Sequence, residues 1–281
     1  MNTSARLPSV ASAIRAALLT PDPRAKAMAT REVARAWRLG RLGFVFDVNM
    51  PDQPAWPDQP ELLHPAKMPR RGGGSEHGRI AMWHSLAHIE FVAIDLALDM
   101  AGRFGAQMDR EFTSDFLSVA ADEAMHFALL DRKLRKMGSF YGALPAHGGL
   151  WEAAADTSFD VMARLAIVPM VLEARGLDVT PAMIKKVGSP DHANGGDNNG
   201  VKILSRILDD EIRHVGIGTK HFIAGCRQSG DVPQKRWKTL VSAHFKGAIK
   251  APFNDSARLA AGLSRDFYSG IALLRNSRIT P

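Results

Sequence analysis

A single cysteine, Cys226, stands in 281 residues. No disulfide can form within the chain, so the fold has to rest on its own core rather than on covalent staples. The apolar helical stretch around Cys226 reads as the setting of a buried structural thiol rather than of a nucleophile, which fits a reducing, cytoplasmic compartment. Long apolar runs are missing as well. None reaches the roughly 18 residues that crossing a bilayer needs, so no membrane partner is expected. The first twenty residues lack the compact apolar core of a secretion signal, although their lack of acids and their Arg6 and Arg15 resemble a transit peptide weakly. Nor is there an internal repeat of solenoid length. What the chain does have is 46% hydrophobic residues, enough to bury a full core in one large domain or one domain with extensions.

The net charge of +7 is unevenly spread. Residues 1–72 carry 11 basic and 6 acidic side chains, residues 73–229 carry 16 and 20, and residues 230–281 carry 9 and 3. The basic excess therefore lies in the flanks, where it reads first as ordinary solvation and second as a surface for RNA or another polyanion. Helical periodicity divides the chain similarly. Residues 1–74 hold two short helical patterns, about Val10 to Leu19 and Ala25 to Leu39, and then a connector rich in proline and glycine. Residues 75–229 hold four long patterns. Ser75 caps the first, which runs to about Met100 with Gly102 as its stop; Asp109 caps the second, which is closed by Gly138. A longer link leads to the third, about Asp156 to Ala174 and ended by Gly176, after which Thr180-Pro181 starts a short helix. A polar loop from Gly188 to Gly200 precedes the fourth, about Val201 to Arg227. Residues 230–281 add two or three shorter helices. Four long helices with one long crossover predict an all-α, ferritin-like four-helix bundle with N-terminal and C-terminal helical extensions.

The chemistry sits in Glu-x-x-His. Three residues along a helix turn by about 300° and rise about 4.5 Å, so carboxylate and imidazole leave one face and can grip one ion. The motif occurs as Glu123 to His126 in DEAMH and as Glu211 to His214 in DEIRH. Chance would supply about 0.3 occurrences from this composition. A third, Glu61 to His64, lies between Pro60 and Pro65, where no helix can hold the geometry, and serves as an internal control. The other two long helices each offer a glutamate among apolar neighbours, Glu90 in AHIEFVAI and Glu173 in PMVLEARG. Buried ionised carboxylates cost several kcal/mol each unless they are paired or coordinate a metal. Two divalent cations cancel four such charges, and one imidazole completes each ion's protein ligands.

Several other residues have blander readings. Asp122 and Asp210 precede the motif glutamates and either orient a ligand histidine or are simple solvated acids. His84, His88 and Asp95 read as a hydrogen-bonded polar stripe on the first long helix rather than as metal ligands. Pro169 removes a helix hydrogen bond one turn before Glu173 and is expected to kink that helix. His147 and His192 fall in loops where nothing singles them out.

The stretches HSLAHIEFVAIDLALDM, DEAMHFALLDRKLRKMGSFYGALPAHGGLWEAA, ARLAIVPMVLEARGLDVTPAMI and ILDDEIRHV resemble the ferritin-like family catalogued as domain of unknown function 455. The resemblance covers most of residues 30–225. It implies the ferritin-like fold and a carboxylate-bridged dimetal site on Glu90, Glu123, His126, Glu173, Glu211 and His214, and it brings no established reaction.

Sites of this kind support three uses: oxygen activation for oxidising a substrate, peroxide disproportionation on manganese, and iron oxidation for storage. The leading expectation is a diiron oxidase or monooxygenase acting with O2 or peroxide on an unknown substrate, with two Fe ions, or alternatively Mn or mixed Mn/Fe. Glu90 with Glu211, or Glu123 with Glu173, would bridge the ions. An electron-donor protein would be needed for repeated turnover. A nucleoside in tRNA is a candidate substrate by analogy at fold level. The rival expectation is a non-enzymatic metal-binding or storage protein, for which the long flanks would complicate the closed homo-oligomeric shell.

Overall fold

The first four α-helices start at side chains that answer the first unbonded backbone amides. Ser9 opens α1 (Val10–Leu18), Asp22 opens α2 (Pro23–Arg38), Ser75 opens α3 (Glu76–Phe104) and Asp109 opens α4 (Arg110–Lys136), each accepting from the amide three residues on. The computed structural model describes residues 7–69, 75–190 and 195–270. His192, residues 70–74 of the connector and residues 271–281 of the basic C-terminal flank lie outside the described residues. After α4 come α5 (Gly149–Ala155), α6 (Val161–Ile167), a π-helical turn (Val168–Glu173), α7 (Ala174–Gly188), α8 (Asn198–Ser229), α9 (Pro233–His244), α10 (Asp255–Ala260) and α11 (Arg265–Tyr268). The described residues contain no strand, only the isolated bridges Ser9 to Gly43 and Leu62 to Ala146. The fold is all-α, a helical bundle architecture, as expected.

Packing divides the chain into two compact units, Met1–Trp151 and Glu152–Pro281. In the first, α3 and α4 pack antiparallel. Lys133 sits 5.4 Å over the Trp83 ring near one end of the pair, and His126 lies beside Glu90 near its middle. Helices α1 and α2 pack against this pair. Against expectation, the segment Glu76–Gln107 is long and apolar enough by composition to cross a membrane; 67% of its apolar window is nevertheless buried inside the fold, as befits a core helix. Gly102 does not stop α3. A Cβ there would run into Met50 and Ile14, so glycine is required for close approach rather than for termination.

In the second unit α8 runs antiparallel to the helix formed by α6, the π-helical turn and α7. Gly225 faces Met162, Gly218 faces Pro169 and Val201 faces Gly188 in sequence-reversed order. The disturbance expected at Pro169 takes the form of the π-helical turn, because proline has no amide to give and the wider turn re-registers the following bonds. Gly176 and Pro181 fall inside the continuous α7, so the predicted stop and the separate short helix are both corrected. Tertiary packing overrides these local breakers: α7 lies along α8, and Leu177, Asp178 and Thr180 are buried. The C-terminal helices belong to this unit's core. Trp237 is fully buried and donates to the Ala166 carbonyl (3.2 Å), and Arg258 grips Asp178 through two bonds of 2.8 and 2.7 Å.

Candidate metal centre

Helix α3 carries Glu90 and helix α4 carries Glu123 and His126, which are 4%, 1% and 0% exposed. His126 Nδ1 lies 3.3 Å from Glu90 Oε2 and 3.4 Å from Glu123 Oε2. One ligand atom from each of the three lies within 4.8 Å of each of the others. Two donors about 2.1 Å from one ion stand about 3 to 4.2 Å apart, so the three can close on one ion with small side-chain movements. The donor set, two carboxylates and an imidazole, suits iron, manganese or zinc chemically.

The electrostatics of the cluster favour a positive charge between the two carboxylates. Burial raises the Glu90 carboxyl well above its ordinary value, and repulsion from Glu123 adds to the rise. Burial pulls His126 down, but hydrogen bonds to Glu123 and Glu90 and the charges of both outweigh it and lift the imidazole to about 11. Without a metal, a proton on His126 therefore does the work that a divalent ion would do with it.

The second unit holds the matching motif. Glu211 and His214 are buried on one face of α8, with His214 Nδ1 3.5 Å from Glu211 Oε1. The Arg213 guanidinium approaches the other ring nitrogen at 3.4 Å. Glu173 is half-buried at the last position of the π-helical turn, a feature that recurs at functional sites. Asp210 is half-buried and accepts from Arg206 at 2.6 Å, and Asp122 is half-buried on α4. The control motif behaves as a control: Glu61 and His64 are not buried and lie outside any helix.

The stripe expected from His84, His88 and Asp95 separates into two systems. His84 Nε2 accepts from the Gly142 amide (2.9 Å), while His88 Nε2 donates to the His147 carbonyl (3.1 Å) and its Nδ1 accepts from the Tyr141 hydroxyl (3.0 Å). Burial first of all lowers His88 to about 4, so the ring is neutral near pH 7. Asp95 instead binds Lys26 Nζ at 2.6 Å and the Trp56 indole at 2.8 Å. Both ends of that ion pair are fully buried; burial raises Asp95 to about 6 and lowers Lys26. Sequence reasoning missed Lys26 and Tyr141. A signal for Lys26 exists, because it shares the α2 stripe of Thr30, Val33 and Trp37 and is a charge at a core position.

Comparison with known proteins adds a family but no reaction. An uncharacterized protein from Haemophilus influenzae is 40% identical over 217 residues, covering 75% of this chain and 74% of that protein. No solved structure matches. The family model described as "Protein of unknown function (DUF455)" matches residues 19–269, and the chain belongs to that family.

Proposed function

We propose that this chain is a dimetal carboxylate protein that holds two divalent ions, with iron as the leading choice, through Glu90, Glu123, His126, Glu173, Glu211 and His214. The observation that carries the reading is the buried cluster of Glu90, Glu123 and His126, whose ligand atoms lie within 4.8 Å of one another. A second Glu-x-x-His on α8, with both members buried, supplies a further carboxylate and imidazole. Two divalent ions cancel the charges of the four carboxylates, which lowers the cost of burying Glu90, Glu123 and Glu211.

We assign the protein to oxidoreductases of the oxidase or monooxygenase type, working in a reducing, cytoplasmic compartment with electrons from a separate donor protein. When bound, the ion pair supplies the redox equivalents for oxygen activation. The chain's own groups hold and screen it: the carboxylates of Glu90, Glu123, Glu173 and Glu211 fix the ions, His126 and His214 cap them, and Asp122 and Asp210 orient the imidazoles. The apolar walls of α3 and α4, including Phe91, Phe116 and Phe127, keep bulk water from the Glu90 side.

The test is elemental analysis of full-length protein expressed with iron and manganese both available, followed by oxygen-uptake measurement on the reduced protein. About two ions per chain and oxygen consumption without a large protein shell are expected. No retained metal overturns the centre. Iron far above two per chain in a shell-sized particle moves the protein to storage, and retained manganese with rapid peroxide breakdown moves it to disproportionation.

A further inference from the structure

Helices α2 and α4 enclose a groove on the surface of the first unit. They run antiparallel, pinned by Arg24 with Asp131 toward one end and by the Trp37 indole donating to Ser114 (2.9 Å) toward the other. In that register Ala27 falls at about the level of Ala128, and Arg31 at about that of Ala124. Alanines are too short to fill the seam between the helices, and a space of about 410 Å³, partly open to solvent, is left there. That volume lies within the usual range for small-molecule sites. The groove faces away from the metal cluster: at about 100° per residue, Met125 points about 160° from Glu123 and Ala128 about 160° from His126 around the helix axis.

The lining is apolar and the rim is basic. Met28, Met125 and Leu129 join the alanines in the lining, and Met28 is left 65% exposed, an unbranched and polarizable side chain of the kind that adapts to an apolar ligand. Arg24, Arg31 and Arg132 are the exposed basic residues around it. Asp131 is the one acid among the described lining residues, and it is already taken. It is 4% exposed, and its Oδ2 accepts from Arg24 Nε (3.0 Å) and Nη2 (2.8 Å) and from Arg135 Nε (3.1 Å). Among the described residues neither Arg31 nor Arg132 has an ion-pair partner. The walls are held in place, because the buried Lys26 and Asp95 pair ties α2 to α3 from the other side.

Charge and shape narrow the occupant. A cation would meet three guanidinium groups and only a carboxylate that is already engaged. A small inorganic anion would use the rim and leave the apolar lining wet, while a neutral hydrocarbon would use the lining and nothing of the rim. Arg24 and Arg31 stand seven residues apart, about 10 Å or two turns along α2, a length that suits a small molecule better than a docked helix. Guanidinium forks match a carboxylate in geometry as well as in charge. We propose that this groove is a binding site for a small organic carboxylate with an apolar body, its head held by the rim arginines and its hydrocarbon laid on the alanine and methionine lining. The site is separate from the metal cluster and does not depend on its assignment.

Four probes separate head from body: octanoate, 1-octanol, octylammonium and acetate. Each is titrated into the full chain by calorimetry, as purified and after chelation, with methyl NMR on the chelated form. Octanoate should bind in both forms and shift the methyl resonances of Met28, Met125 and Ala128, with the other three weaker by about ten-fold or more. Arg31→Gln with Arg132→Gln should weaken octanoate by about ten-fold or more and leave octanol unchanged. Ala128→Trp, at an exposed position, should fill the groove and abolish octanoate binding while leaving metal content and melting temperature intact. If that variant does not fold, Met28→Glu reads the same site by charge: octanoate should weaken and octylammonium tighten. Octanol, octylammonium or acetate binding as tightly as octanoate overturns the proposal. So does the absence of octanoate binding at low millimolar concentration, or octanoate binding that survives the arginine and groove variants. Vesicles of anionic phospholipid are the last arm; binding to them that is lost with Arg31 and Arg132, without binding of free octanoate, overturns the proposal in favour of a membrane surface.

Discussion

Glu90, Glu123 and His126 show how far a single residue's role depends on what it faces. On an exposed helix surface the pair Glu123 and His126 would be an ordinary i,i+3 contact; buried beside Glu90, it becomes part of a group that could hold a cation. Glu123→Ala or His126→Ala should lower metal content from about two ions per chain to about one or fewer. The control Glu61→Ala with His64→Ala should leave it unchanged, since both residues sit at the surface in irregular chain. Metal loss from the control equal to that from the cluster variants would refute the assignment. Protons compete for the same place. His126 is held protonated up to about 11 in the metal-free chain and Glu90 is raised as well, so an ion must displace at least one proton. Metal affinity should therefore fall as pH falls. In the metal-free protein the sign is that of a raised histidine: its contribution to stability is complete below its ordinary value of 6.5 and is lost as pH rises through about 11. Titration calorimetry in two buffers of different ionisation enthalpy at pH 7 should show net proton release, and net uptake would contradict the cluster's charge state.

Among the helices, α2 is attached to α3 by more than apolar packing. Lys26 and Asp95 are 69 residues apart and form an ion pair that is 0% exposed on both sides, with the Ala55 carbonyl and the Trp56 indole completing it. Breaking such a pair from one side leaves an uncompensated buried charge, so Lys26→Met should destabilise by about 3–5 kcal/mol. The double change Lys26→Met with Asp95→Leu should recover most of that loss. Denaturant melts of the two variants check this, and a double variant no better than the single would show that the pair is not the cause. The π-helical turn is the other feature of this scale. Pro169 made the disturbance legible, but its geometry required Gly218 on α8 to make room for the proline ring.

Over the molecule as a whole, Lys235, Lys246 and Lys250 of the C-terminal flank are exposed on a folded part of the second unit. Trp237, Leu240, Val241 and Arg258 are buried, so deleting residues 230–281 would open a core rather than simply remove charge. If the flanks serve RNA, reversal of the exposed Lys235, Lys246 and Lys250 to glutamate is the cleaner probe. With three fewer phosphates neutralised, the slope of log affinity for tRNA against log salt should flatten by about two units. An unchanged slope, or no tRNA binding by the parent at low salt, removes RNA as a partner.

From residue order alone it follows that the chain is helical, where most of its long helices begin, and which side chains are candidates for holding a metal. These are local properties: Ser75, Asp109 and the capped starts act within one turn, and the spacing of Glu123 to His126 fixes their common direction. Termination was less legible at Gly102, Gly176 and Pro181, because a breaker's cost of about 1 to 3 kcal/mol is set against packing that local sequence does not reveal. Only tertiary packing brings Lys26 to Asp95 and sets His84 and His88 to the loop around Tyr141. Each of these depends on a partner 39 to 69 residues away, as in Trp56 with Asp95 and Lys26 with Asp95, whose approach follows from how helices pack rather than from the order of residues along any one of them.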